Sequence, residues 1–269
     1  MQPGNIVKCH CADLSSMAQE RMAPFLKNGK SMLLAYDQGL EHGPSKDFND
    51  RNVDPSFIMD TAVKGGFCGV IFQKGVAERY YNGKVPLIVK VNGKTSLPQG
   101  EPISKQECSV EHAVSLGAKG IGYTIYLGSA FEADMLSEFG RIQEEAHSRG
   151  VAAIAWIYPR GVAVKDDTAK DIVAYAARTG LELGADAVKI KYTGDSASFS
   201  WAVKSAPGVR VFMSGGPKAP TDEDWLRQVR GVMDAGATGV AVGRNVWQNK
   251  DPLVMAEKLR QVIFENKQA

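Results

Sequence analysis

The sequence predicts a single-domain α/β protein, a (β/α)8 TIM barrel preceded by an extra N-terminal helix. Two observations carry that expectation. Short β-rich segments recur eight times along the 269 residues, each followed by a helical pattern. No linker rich in Pro, Gly or Ser interrupts the series. Eight strand–helix units in about 250 residues match the size of such a barrel. A doubly wound open sheet uses the same alternating units. Its dinucleotide fingerprint, G-x-G-x-x-G after the first strand, is absent from "LLAYDQGLEHGP", which places the barrel ahead.

Residues 1–30 form the extension, in which "SSMAQERMAPFLKNG" (15–29) reads as the extra helix, and residues 31–267 form the barrel. The first four strands are "SMLLAYDQG" (31–39), "GVIFQKG" (69–75), "PLIVKVNG" (86–93) and "GIGYTIYLG" (120–128). The second four are "AAIAWIYPRG" (152–161), "AVKIKYTG" (187–194), "VRVFMSGG" (209–216) and "GVAVGRNVW" (239–247). Helix starts are marked by Asp54 and Asp251, each directly before a proline, as N-caps with Pro in the first helical position. Thr221 and Asp224 have the spacing of a capping box. Helix ends are marked by glycine in "KGG", "SRG", "LGA" and "DAGA", where a left-handed residue returns the chain to the sheet.

Composition narrows the function classes. The 32 basic and 30 acidic residues leave a formal charge of +2, without the basic footprint of a nucleic-acid binder. No apolar run approaches the roughly 18 residues that span a bilayer. The N-terminus has neither the apolar core of a signal peptide nor the Arg-rich pattern of a transit peptide. A cytoplasmic protein that binds neither nucleic acid nor membrane is expected. Cys9, His10 and Cys11 carry zinc-ligand chemistry, but a structural zinc site needs a second cluster and none follows. No metal is expected.

Function in a barrel collects at the C-terminal ends of the strands. Alternation along the sixth strand turns Val188 and Ile190 outward, and Lys189 and Lys191 into the barrel. Trp156 shares an inward face with Tyr158, and Ala35 with Asp37. A neutral amine attacks a ketone to give a carbinolamine and then an iminium ion, an electron sink for cleavage of a C–C bond. Desolvation and a neighbouring cation both disfavour the ammonium form. Lys189 lies about 6.6 Å deeper than Lys191, which makes it the candidate nucleophile and Lys191 a candidate electrostatic or anion-binding neighbour. Tyr158 and Asp37 are candidates for proton transfer. At the last two strands, "SGGPK" and "VGRN" place Ser214, Gly215, Gly216, Gly243 and Arg244 where barrels bind phosphate.

These segments resemble the archaeal-type class I fructose-1,6-bisphosphate aldolases, the DhnA-like family of Schiff-base barrels. The resemblance rests on "LLAYDQGLEHGP", "GYTIYLGS", "WIYPRG", "GADAVKIKYTG", "SGGPK" and "GVAVGRNVWQ", in collinear order from about residue 30 to about residue 265. It implies that Lys189 forms the imine, that Tyr158 and Asp37 are catalytic, and that Trp156 marks the aldolase branch rather than the transaldolase-like synthases. It implies a dihydroxyacetone-phosphate end held by Ser214, Gly215, Gly216, Gly243 and Arg244. It also implies a phosphorylated-sugar substrate, no cofactor, no metal, and a homo-oligomer, in many members a large ring. Where many relatives read Asp-His-Gly, this chain has Asp37-Gln38-Gly39, so no acid–base role of that histidine carries over; His42 remains as a candidate substrate contact. Lys74, Lys94 and Lys191 are candidates for the second phosphate. The rival expectations are imine chemistry on another phosphorylated or deoxy sugar, a non-covalent isomerase, and a ligand-binding or assembly barrel without lyase activity.

Overall fold

The apolar alternation closes into a parallel barrel of eight strands. The structure is a computed structural model that describes residues 11–44 and 47–267, with side chains from residue 17 onward. The strands are β1 (Ser31–Ala35), β2 (Gly69–Gln73), β3 (Leu87–Lys90), β4 (Gly120–Ile125), β5 (Ala152–Ile157), β6 (Ala187–Ile190), β7 (Arg210–Ser214) and β8 (Gly239–Val242). Each pairs with its sequence neighbours, and β1 closes on β8 through Ser31↔Gly239 to Leu34↔Val242. The eight strand positions are those expected from the sequence. All eight strands end two to five residues earlier than read, because the functional residues cluster at or just past the end of the sheet. Asp37, for example, precedes a short helix, Gln38–His42.

Side chains divide as the period of two requires. Leu33, Ala35, Ile71, Ile88, Ala152, Ile154, Trp156, Ala187, Phe212 and Ala241 fill the barrel interior. Val188, Ile190, Val240 and Val242 belong to the larger core under the outer helices. The extra helix forms over Cys11–Met22, shorter than read, and gives way at Pro24 to a 3-10 turn, Ala23–Phe25. Phe25 then plugs the N-terminal mouth. A Cβ on Gly69 or Gly120 would lie 3.0 or 3.1 Å from its ring, so those two strands carry no side chain there. Cys9 and His10 lie outside the described residues, and of Cys11 only the backbone is described.

The helix signals act as expected. Asp54 accepts from Ser56 N at 2.9 Å and Asp251 from Val254 N at 3.1 Å, each ahead of its proline. Thr221 Oγ1 accepts from Asp224 N at 3.0 Å and donates to Asp224 Oδ2 at 2.8 Å, a capping pair closed through the hydroxyl. Gly184 and Gly236 adopt φ of 74° and 88°, the left-handed turn that ends a helix.

One element was not legible. Past β3 the chain leaves the barrel, and Asn92–Gly93 pairs antiparallel with Lys105–Gln106. The Asn92 side chain continues the ladder that its backbone abandons: its Oδ1 accepts from Thr124 N at 2.8 Å and its Nδ2 donates to Thr124 O at 2.9 Å.

A second buried polar junction secures the opposite end. Asp186, just before β6, accepts from Arg21 Nη2 at 2.8 Å, His147 Nε2 at 2.9 Å and Ala153 N at 2.8 Å. One carboxylate thus joins the N-terminal helix, the helix Glu132–Ser148 and β5 to the strand that carries Lys189. Among the described residues, no helix is long and apolar enough to cross a membrane.

Candidate active site

All eleven site residues expected from the sequence line one cavity of about 250 Å³ at the C-terminal ends of the strands. They are Asp37, His42, Trp156, Tyr158, Lys189, Lys191, Ser214, Gly215, Gly216, Gly243 and Arg244. The cavity also takes in Gln38, Glu41, Thr124 and Arg160.

Lys189 points inward from β6, 5% exposed, with its Nζ 5.1 Å from the centre of the Trp156 ring. Trp156 and Lys189 are register partners, which places the amine against the indole. The indole in turn reaches across β4. A Cβ on Gly122 would fall 1.6 Å from Trp156 ring atoms, so the strand must carry glycine at that position. Desolvation holds the Lys189 amine below its ordinary pKa. Asp37 and Glu41 act in the opposite sense, while Lys90 and Arg244 add to the lowering.

The lysine expected to assist sits differently. Lys191 lines the same cavity, but its ammonium pairs with Asp167 from the loop after β5. The neighbouring cations that depress Lys189 are instead Lys90 and Arg244. Alternation assigned Lys191 to the inward face, but β6 ends at Ile190, and the side chain beyond it follows the loop charge.

Tyr158 stands one residue past β5, and its N–H still donates to Ile125 O at 2.9 Å, which fixes it on the rim. Burial and the negative charge of Asp37 and Glu41 push its phenol well above the ordinary value, so it stays protonated at neutral pH. Glu41 accepts from Tyr126 OH at 2.7 Å. Burial works against its ionisation, yet Lys90 and the Tyr126 hydroxyl hold its carboxyl below the usual range.

The end of the cavity where the sequence expects a phosphate is lined by residues at the ends of β7 and β8. Gly243 is tightly enclosed: a Cβ there would lie 2.6 Å from Gln38 Nε2 and 2.8 Å from Ala35 O. Asn245 Nδ2 donates to Gly215 O at 2.7 Å and to Pro217 O at 3.0 Å, holding the two glycine loops together. Trp247 Nε1 donates to Ala35 O at 3.1 Å, and its ring stacks on Phe48, which anchors the turn that carries Arg244. Arg244 Nη1 lies 3.2 Å from Asp47 Oδ2, and His42 Nδ1 lies 2.8 Å from the same oxygen. His42 and Arg244, both in the cavity lining, thus share Asp47, which the two groups hold below its ordinary pKa against the effect of burial.

Of the candidates for a second anion, Lys191 is in the cavity. Lys94 lines an adjoining space of about 410 Å³, and Lys74 donates to Glu107 O away from both. Arg160, in the "WIYPRG" segment, borders both spaces and lies over the Tyr126 ring, a position that no sequence signal marks. Lys90 and Glu41 were missed as well. Lys90 shares the inward face of its strand with Ile88, a signal alternation supplied; Glu41 sits in the short helix Gln38–His42 past β1, where the strand period no longer applies.

A desolvated lysine amine with a lowered pKa inside a closed barrel is the working group of imine-forming enzymes, and the fold and site fit that class. Residues 31–249 match the model of the DeoC/LacD family aldolases. The chain is 54% identical over 256 residues to the class 1 fructose-bisphosphate aldolase of Thermoproteus tenax, covering 94% of this chain and 97% of the relative. It is 43% identical over 248 residues to the enzyme of the same name from Halobacterium salinarum, covering 90% and 94%. A solved archaeal fructose-1,6-bisphosphate aldolase, with its catalytic lysine covalently bound to the carbinolamine intermediate of the substrate, superposes with a TM-score of 0.89 at 54% identity, covering 92% of this chain and 99% of that one. The fructose-bisphosphate aldolase of Slackia heliotrinireducens gives a TM-score of 0.87 at 30% identity, covering 96% and 88%. The chain belongs to the DeoC/LacD family of aldolases, among its class 1 fructose-bisphosphate aldolases.

Proposed function

We propose that the protein is a Schiff-base aldolase that reversibly cleaves fructose 1,6-bisphosphate to dihydroxyacetone phosphate and glyceraldehyde 3-phosphate. The observation that carries this reading is the desolvated Lys189 amine, set on the Trp156 ring with Asp37 and Tyr158 lining the same cavity. Lys189 adds to the C2 carbonyl, and loss of water leaves an iminium ion. Asp37 accepts the proton of the C4 hydroxyl as the C3–C4 bond breaks, and the electron pair moves into the iminium as an enamine. Tyr158, protonated, returns a proton to C3 before water releases the ketone. No step calls for a metal or a cofactor.

Ser214, Gly215, Gly216, Gly243 and Arg244 take the phosphate of the dihydroxyacetone half, and Arg160 with Lys191 meets the second phosphate across the cavity. His42 orients Asp47 and Arg244 at the anion end. The substrate is a phosphorylated sugar of central metabolism, which sets the protein in the cytoplasm, as a single-domain subunit of a homo-oligomer.

The test is cleavage of fructose 1,6-bisphosphate in a coupled assay, with and without a chelator. Equal activity in both is expected; no cleavage, or cleavage that the chelator abolishes, contradicts the reading. Tyr158→Phe keeps the ring and removes the proton donor. It is expected to lower kcat by about 10²- to 10³-fold with little change in KM, measured in the same assay.

A further inference from the structure

We propose that Lys90 is a positioning residue of the reaction: it is the resident counter-ion of Asp37 and Glu41, and so releases Lys189 from that role. This rests on the imine reading above and extends it to a residue that does not line the cavity.

The geometry is unusual for a lysine. Lys90 is fully buried at the inner end of β3, and its Nζ has no hydrogen-bond partner among the described residues. It lies 3.8 Å from Asp37 Oδ2 and 3.9 Å from Glu41 Oε1, between the two carboxylates. A buried ammonium with unused donors is costly, and the two carboxylates beside it offset that cost. The groups that face this cluster are Asp37, Glu41 and His42 after β1, Tyr126 after β4, Tyr158 and Arg160 after β5, Lys189 on β6 and Arg244 after β8.

The chemistry sets two opposed demands. Asp37 must be ionised to accept a proton, while Lys189 a short distance away must be neutral to attack. An isolated amine beside a carboxylate in a desolvated site fails the second demand, because the two settle as an ion pair with the proton on the amine. A second cation eases the conflict. With Lys90 in place one of the two carboxylate charges is offset, and Lys189 has less charge to neutralise. Lys90 also acts directly, since its positive charge disfavours a second ammonium nearby. Both effects have the same sign, and both reach the substrate through Lys189 and Asp37 rather than by contact.

Lys90→Met, close in volume, removes only the charge. In the full-length protein, kcat/KM for cleavage and the rate of borohydride trapping with dihydroxyacetone phosphate are measured from pH 5 to 9. The acid limb of both profiles is expected to move up by about one pH unit or more, with activity recovered at high pH. An unmoved limb with an even loss at every pH overturns the proposal, because lost packing has that signature. Glu41→Gln, which keeps the ammonium and remains informative if Lys90→Met does not fold, removes one anion and is expected to move the limb down. In the double variant the limb is expected to return toward its original position. A limb that Glu41→Gln leaves in place, or shifts upward, also overturns the proposal. If the unaltered protein forms no adduct at all, the imine reading falls and this proposal with it; an adduct with unmoved limbs removes this proposal alone.

Discussion

Lys189→Met is expected to abolish cleavage, with kcat lowered by at least about 10⁴-fold, and to leave the fold intact. The amine is the atom that becomes covalent, so no other group in the cavity replaces it. Lys191 is paired with Asp167, and Lys90 lies beneath the carboxylates with its Nζ buried. The thioether fits the slot against Trp156 that the butyl stem occupies. Replacing a desolvated polar group by an apolar one of similar volume tends to be neutral or stabilising. Circular dichroism and urea unfolding should therefore match or exceed the original protein, while the coupled assay reads background. Residual activity within tenfold of the original would mean that the covalent step belongs to another residue.

Asp186→Ala is expected to cost about 3–5 kcal/mol of stability, measured by urea unfolding near pH 7. The carboxylate is buried and binds Arg21, His147 and the Ala153 N–H. Removing it strands a guanidinium that is only 10% exposed. The effect carries a pH signature. Burial opposes ionisation of Asp186, but its bonds to His147, Arg21 and Ala153 N prevail and lower its folded-state pKa. A depressed carboxyl pKa contributes stability above the unfolded value of about 3.9. That contribution fades as the pH falls through the lower, folded value. The gap between the original protein and Asp186→Ala should thus persist above about pH 4 and narrow below it. A gap that is absent at pH 7 would show that the N-terminal helix is not held through this junction.

The barrel was legible because its cause is local and periodic. Each strand carries its own alternation and each helix its own cap, as Asp54, Asp251 and Gly184 illustrate. The same alternation ranked Val188 outward and Lys189 inward without knowledge of any neighbour. Past the strand's end it still placed Lys191 at the cavity but could not give its partner. Lys191, one residue past β6, pairs with Asp167. Glu41 and Asp47 sit in the segment after β1, whose course depends on groups over a hundred residues away, such as Arg244 and Trp247. Asp186 and Arg21 are separated by 165 positions and meet only once the barrel has closed. Lys90 falls between these cases: its face and that of Asp37 were readable, but the second carboxylate, Glu41, was not.

The central claim is that Lys189 is the residue that becomes covalent. The protein is incubated with dihydroxyacetone phosphate, reduced with borohydride, digested, and the adduct located by peptide mass. The account predicts a single reduced adduct on the peptide carrying Lys189, unchanged when a chelator is present. An adduct on Lys191 or Lys90, or no adduct while cleavage proceeds, would contradict it.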